Sequence, residues 1–87
     1  MVDVFRKKRA TAAMLEALEM ADGYPLAEDV LRGYLKDMVK PPIKDAEWKE
    51  ITQEALAHDL MVRVPSKLDD DLVQFAITER GQALRRN

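Results

Sequence analysis

Apolar residues recur along this chain at two different periods, and the change of period divides it into a helical part and a strand part. In the first stretch Phe5, Ala12, Leu15 and Leu18 fall at helical spacing. That predicts a helix starting near Asp3, which can cap it, and running to Ala21. Asp22-Gly23 stops it, with Gly23 suited to the left-handed position beyond the last turn. A second helix is expected to open at Tyr24-Pro25-Leu26, with Pro25 in the first turn, where its missing N–H costs little. Ala27, Val30, Leu31, Tyr34, Leu35 and Met38 carry it on at i, i+3, i+4 and i+7, and Pro41-Pro42 ends it. Ile43 then sits in a short extended link that can pair as a minor strand. The third helix is expected from about Asp45 to near Leu60. Trp48, Ile51, Thr52 and Ala55 share one of its faces, with Leu56 beside them.

Past that point the period falls to two. Leu60-Met61-Val62-Arg63-Val64-Pro65 reads as a strand, Ser66 to Asp71 as a polar turn, and Leu72 to Ile77 as a returning strand. Thr78 is placed to cap a short final helix, Glu79 to Arg86. There are no internal repeats and no low-complexity segments.

Three helices, a β-hairpin and a return into a short helix is the order of a winged helix-turn-helix domain, an α+β, mainly helical fold. Three segments make the resemblance more specific. Gly23 to Leu31 looks like the entry to the second helix of such domains, and Ala55 to Val62 like the exit from the third helix into the wing. Ile77-Thr78-Glu79-Arg80-Gly81-Gln82-Ala83-Leu84 resembles the Leu-Thr-Glu-Lys-Gly-x-x-Leu segment that follows the wing in bacterial winged-helix regulators of the MarR and PadR families. The resemblance runs from about residue 11 to 85. It implies that Thr78 caps a helix, that Gly81 permits close approach of a neighbour, and that Leu84 returns to the core. It also implies that the third helix (45–58) is the recognition helix and that Ser66 to Asp71 is the wing tip. One domain over residues 1–87, expected to be a complete gene product, follows from the length. Residues 1–10 form a candidate flexible basic arm, because four cations in the first turns of a helix oppose its dipole.

Charge complicates the DNA binding that this fold implies. The 87 residues carry a net −2, but six of the fourteen cations are Arg6, Lys7, Lys8, Arg9, Arg85 and Arg86 at the two ends. Between residues 10 and 84, eight basic residues face fifteen acidic ones, leaving −7. Such a body repels a polyphosphate. The outward face of the third helix is expected to carry Glu47, Lys49, Glu50, Gln53, Glu54 and Ala57. The wing tip sets Lys67 against Asp69, Asp70 and Asp71. Asp45 and Glu47 suit the positive end of the helix dipole, whereas Glu50 and Glu54 have no such excuse. Lys36, Lys40, Lys44 and Lys49 form a stripe around the second turn, either a phosphate-contacting feature or an ordinary solvated face.

Two readings therefore stand. In the first, the chain is a nucleic-acid-binding, transcription-regulator-like module working on duplex DNA as a homodimer. Arg6, Lys7, Lys8 and Arg9 serve as a phosphate-contacting arm, Lys44, Lys49 and Gln53 face the groove, Lys67 is on the wing, and Lys36 and Lys40 add basic charge near the second turn. In the second, Glu47, Glu50, Glu54, Asp69, Asp70 and Asp71 dock a basic protein partner and no DNA is bound. Trp48, the single tryptophan, is either a core anchor or a partner contact.

Catalytic chemistry is sparse. His58, Ser66 and the absence of cysteine leave no nucleophilic constellation, so no enzyme is expected. His58 suits a helix C-terminus. Asp69-Asp70-Asp71 lacks the Gly and distal Glu of a calcium loop, and Gly23, Gly33 and Gly81 are isolated, so no cofactor is expected. The first twenty residues lack a secretory pattern and no apolar run reaches membrane length, which together with the cysteine-free composition points to the cytoplasm and away from membranes.

Overall fold

The computed structural model describes residues 4–68 and 71–86. Its order is α1 (Val4–Met20), β1 (Leu26–Ala27), α2 (Glu28–Met38), α3 (Asp45–Ala57), β2 (Met61–Pro65), β3 (Val73–Ile77) and α4 (Glu79–Arg86). The expected first-helix cap, Asp3, lies outside the described residues. Of the candidate arm, residues 4–10 belong to α1, which is helical from Val4 onward, and the first three lie outside the described residues.

The buried stripe of α1 is Ala10, Ala13, Met14, Ala17 and Leu18, with Leu15 beside it. This corrects the expected face: Leu15 and Leu18 are inside, but Phe5 is 81% exposed and Ala12 is also exposed. Ala10, Ala13 and Ala17 join Met14 and Leu18 on the inward side, where small side chains let a neighbouring helix approach closely. The helix ends through Asp22 and Gly23, which both take positive φ, at 54° and 87°.

The second helix starts later than its pattern implies. Leu26 and Ala27 form a two-residue strand, pairing antiparallel with Phe75 and Gln74, and the helix begins at Glu28. Pro25 therefore precedes a strand rather than opening a helix. Since β1 takes the free edge of β3, Ile43 is not a strand. It is buried in the core between α2 and α3. Leu31, Leu35 and Val39 form the inner face of α2 and its exit, while Val30 and Met38 are exposed.

Trp48, Ile51, Thr52 and Ala55 are the buried face of α3, as their spacing predicts. Trp48 is a core residue through its ring, and its indole N–H is buried without an acceptor among the described residues. Thr52 Oγ1 donates back to Trp48 O at 2.9 Å, with Lys49 O at 3.0 Å, which satisfies a hydroxyl within the core. The helix stops three residues before the expected Leu60. His58 is the C-cap, Asp59 takes φ 58°, and the Leu60 N–H reaches back to Ala55 O at 2.9 Å. That 6→1 bond, with Asp59 N–H to Leu56 O, is a Schellman ending with Asp in the place usually taken by Gly.

The sheet order is β1-β3-β2, all antiparallel, with Met61 opposite Ile77 and Pro65 opposite Val73. Thr78 then caps α4 as expected, accepting the Gly81 N–H at 3.0 Å and donating to Asp59 O at 2.6 Å. Gly81 is buried because Leu60 O lies where a Cβ would sit, and Ile77 Cγ1 would be 2.9 Å from that carbon. Leu84 departs from its expected role. It is 52% exposed and stays outside the core.

Gly81→Ala tests that close approach. A helix-interior Gly→Ala ordinarily gains about 1 kcal/mol. Here urea unfolding should instead show a loss of about 2–3 kcal/mol, the cost of overpacking against backbone.

Candidate nucleic-acid interface

The third helix projects two unlike flanks on either side of its buried face. Glu47, Glu50 and Glu54 follow one another at i, i+3 and i+7 along the flank beside α1. Lys49 and Gln53, four apart, are exposed on the outward side with Ala46 and Ala57. The expectation of three carboxylates and one ammonium spread over one outward face is therefore too coarse, since the acids are gathered toward one neighbour.

That neighbour is the first two turns of α1. Arg6 Nε meets Glu47 Oε2 at 2.7 Å, and its Nη2 donates to the carbonyls of Pro41 at 2.6 Å and Pro42 at 3.1 Å. Lys7 Nζ lies 2.5 Å from Glu54 Oε2 and 3.4 Å from Glu50 Oε1. The Glu47 side chain is only 15% exposed, while those of Glu50 and Glu54 keep nearly half their surface. Glu47 also accepts the Lys44 backbone N–H at 3.1 Å, closing the first turn of α3. The Arg6 hydrogen bond, followed by the Lys44 one, holds the Glu47 carboxyl below its ordinary range. The hydrogen bond to Glu54 is the leading reason the Lys7 ammonium is held above its own.

Arg6 and Lys7, expected in an arm reaching for phosphates, are thus engaged within the fold. Lys8 and Arg9 remain exposed on α1. Lys36 closes the last turn of α2, Lys40 Nζ donates to Lys36 O at 3.2 Å, and Lys44 is the exposed N-cap of α3. Those three run from the end of α2 through the link to the start of α3, and Lys49 is exposed further along α3. Arg32, absent from the sequence-derived set, joins them. It sits four residues before Lys36, so the helical period could have found it, and it pairs with Asp45. Together Arg32 and Lys36 line a shallow cleft of about 350 Å³ above Pro42 and Ile43.

The wing contributes little positive charge. Lys67 and Asp71 are exposed, Leu68 N–H is turned in to Ser66 Oγ at 3.2 Å, and Asp69 and Asp70 lie outside the described residues. Arg63, exposed on the edge strand β2, is a second cation the sequence reading passed over. On the opposite side, Arg85 ties α4 to Glu19 at 3.1 Å and Glu16 at 3.7 Å. Between α1 and α4 runs an open groove of about 640 Å³, lined by Val4, Lys8, Thr11, Leu15, Leu84 and Arg85.

Among the described residues no group of three or more His, Asp or Glu could hold a metal ion, and no helix is long and apolar enough to cross a membrane.

No protein-family model matches the chain, and no curated protein does. Solved structures do. The PcaV transcriptional regulator of Streptomyces coelicolor, in complex with its natural ligand, superposes with a TM-score of 0.71 at 17% identity, over 87% of this chain and 48% of that one. A second PcaV structure gives the same TM-score and identity over 88% of this chain and 51% of the other. The fold is the winged helix-turn-helix. This winged helix spans about half the length of the regulators it matches, and at that identity the likeness concerns fold.

Glu47 supplies a pH test of the geometry. Its carboxyl is held low in the folded chain, so its contribution to stability is full above the ordinary carboxylate value of 4.5 and is lost as the pH falls through the folded value. The stability difference between the native chain and Glu47→Gln should be largest near neutrality and should shrink below about pH 4.5 in urea titrations. A constant difference across that range would mean that the Arg6 contact contributes nothing.

Proposed function

We propose that this chain is a duplex-DNA-binding winged helix of the transcription-regulator type, working as a homodimer. One observation carries the reading: the outward side of α3 presents Lys49 and Gln53, while Glu47, Glu50 and Glu54 are drawn toward cations on α1. Lys and Gln side chains are both suited to hydrogen-bond base edges in a major groove. Lys36, Lys40 and Lys44 flank that surface where the preceding helix of a helix-turn-helix crosses the phosphate backbone. The acidic body then limits how much nonspecific affinity the fold carries, and base contacts on α3 take a larger share of the binding. A protein-docking role for the α3 carboxylates has less support, since each already has a cation of its own chain. A cytoplasmic setting fits the cysteine-free composition.

The dimer rests on the α1–α4 side. Val4 and Leu84 are more than half exposed there and border the groove between the two helices, an apolar edge on the face away from α2. Light scattering should return about twice the 9.9 kDa chain mass, and Leu84→Glu should return the single-chain value with its helical circular dichroism intact. A native chain that scatters as one copy at high micromolar concentration refutes the dimer.

For DNA, anisotropy titration of a labelled mixed-sequence duplex should give micromolar or tighter binding at about 50 mM salt, with a log–log salt slope of several. Lys49→Glu should weaken it by about tenfold, equivalent to roughly 1.4 kcal/mol. Absence of binding at that low salt, where electrostatic attraction is strongest, eliminates the reading.

A further inference from the structure

We propose that Arg6 and Lys7 are positioning residues for nucleic-acid recognition: they hold the α3 carboxylates against α1 and off the groove-facing surface, without themselves touching DNA. This rests on the DNA-binding reading and gives the two cations a role opposite to that of a phosphate-contacting arm.

The geometry separates the two roles. A phosphate-binding cation presents its head to solvent, whereas Arg6 and Lys7 have side chains only 19% and 22% exposed, with their nitrogens on carboxylate and carbonyl oxygens of the same chain. Arg6 spends its guanidinium on Glu47 and on the Pro41 and Pro42 carbonyls, so it fastens α1 to the α2–α3 link and to the start of α3 at once. A planar fork of donors is suited to such a three-way tie. Lys7 bridges Glu50 and Glu54 from one ammonium.

The consequence lies in where those carboxylates would otherwise be. Glu50 and Glu54 keep nearly half their surface, so nothing buried confines them. Their side chains have several rotatable bonds, and Glu50, three positions before Gln53, can reach either toward α1 or toward the outward side of α3, with Glu54 one turn further on. Without Lys7 the first orientation loses its attraction. The carboxylates are then free to swing beside Gln53, and they raise the repulsion that a polyanion meets on approach. Lys7 therefore acts on DNA affinity through Glu50 and Glu54, and its effect depends on their being charged.

Four full-length chains test this: native, Lys7→Gln, Glu50→Gln/Glu54→Gln, and the triple combination. Each is titrated with the labelled duplex at about 50 mM salt, and each is unfolded in urea without DNA. Lys7→Gln should weaken DNA binding by about fivefold in the native background and by less than about twofold once both glutamates are glutamines. Its salt slope should stay within half a unit of native, because no phosphate contact is lost. The urea midpoint should fall for Lys7→Gln alone and stay put when it is added to the double substitution.

An equal loss of DNA affinity in both backgrounds, with the slope reduced by about one, means that Lys7 contacts a phosphate and overturns the proposal. No loss in either background overturns it too, as does an additive urea cycle, which would show that the ion pairs are not formed. If the native chain binds no DNA, the functional reading fails and this role falls with it. The urea cycle still reports separately whether α1 clasps α3.

Discussion

The winged helix depends on how its third helix, its wing and its last helix are joined at a single point. Leu60 O accepts the Thr78 N–H at 3.2 Å, Asp59 O accepts the Thr78 hydroxyl, and the Gly81 N–H returns to the same hydroxyl oxygen. One threonine therefore closes the base of the hairpin and begins α4. The absence of a Cβ at Gly81 lets α4 lie directly on the Leu60 carbonyl. With that point set, β2 and β3 leave together as a paired ribbon, and α4 is directed back along α1, where Arg85 reaches Glu16 and Glu19. An isolated two-stranded hairpin is marginal in water, so a wing of five-residue strands needs such an anchor.

The element order, the buried face of α3 and the Thr78 cap were readable because each rests on a local rule: a period, a capping side chain, a turn residue. The departures came where a distant strand or helix decided the outcome. Leu26 and Ala27 carry no strand signal and pair only because β3, at Gln74 and Phe75, offers an open edge far along the chain. On α1 Ala10, Ala13 and Ala17 turn inward and Phe5 outward, as the space beside a neighbouring helix is decided by fit rather than by hydropathy. Leu84 looks like a core residue by pattern but lies on the side of α4 that only the groove touches.

The candidate interface was readable as a set of residues but not as an arrangement. Composition correctly signals that α3 is acidic and α1 begins basic, yet it treats the two as separate problems, a repulsive reading helix and a loose cationic arm. In the fold they meet across about forty positions of sequence and largely answer each other. No period reports that contact, because it joins the outer flank of one helix to the first turns of another. Arg32 was hidden differently: it lies on the same helical row as Lys36, but its charge is shared with Asp45.

The two residues of β1 have a mechanical meaning. They bind the chain to the middle strand of the sheet immediately before α2 begins, so α2, the helix that leads into α3, is coupled to the wing through main-chain hydrogen bonds. Wing and helix pair are therefore fastened to each other at two places, through β1 and through the α3–β2 junction. A ligand meeting this surface encounters a preset shape, and the orientational entropy surrendered on docking is that of a single object rather than of several jointed parts.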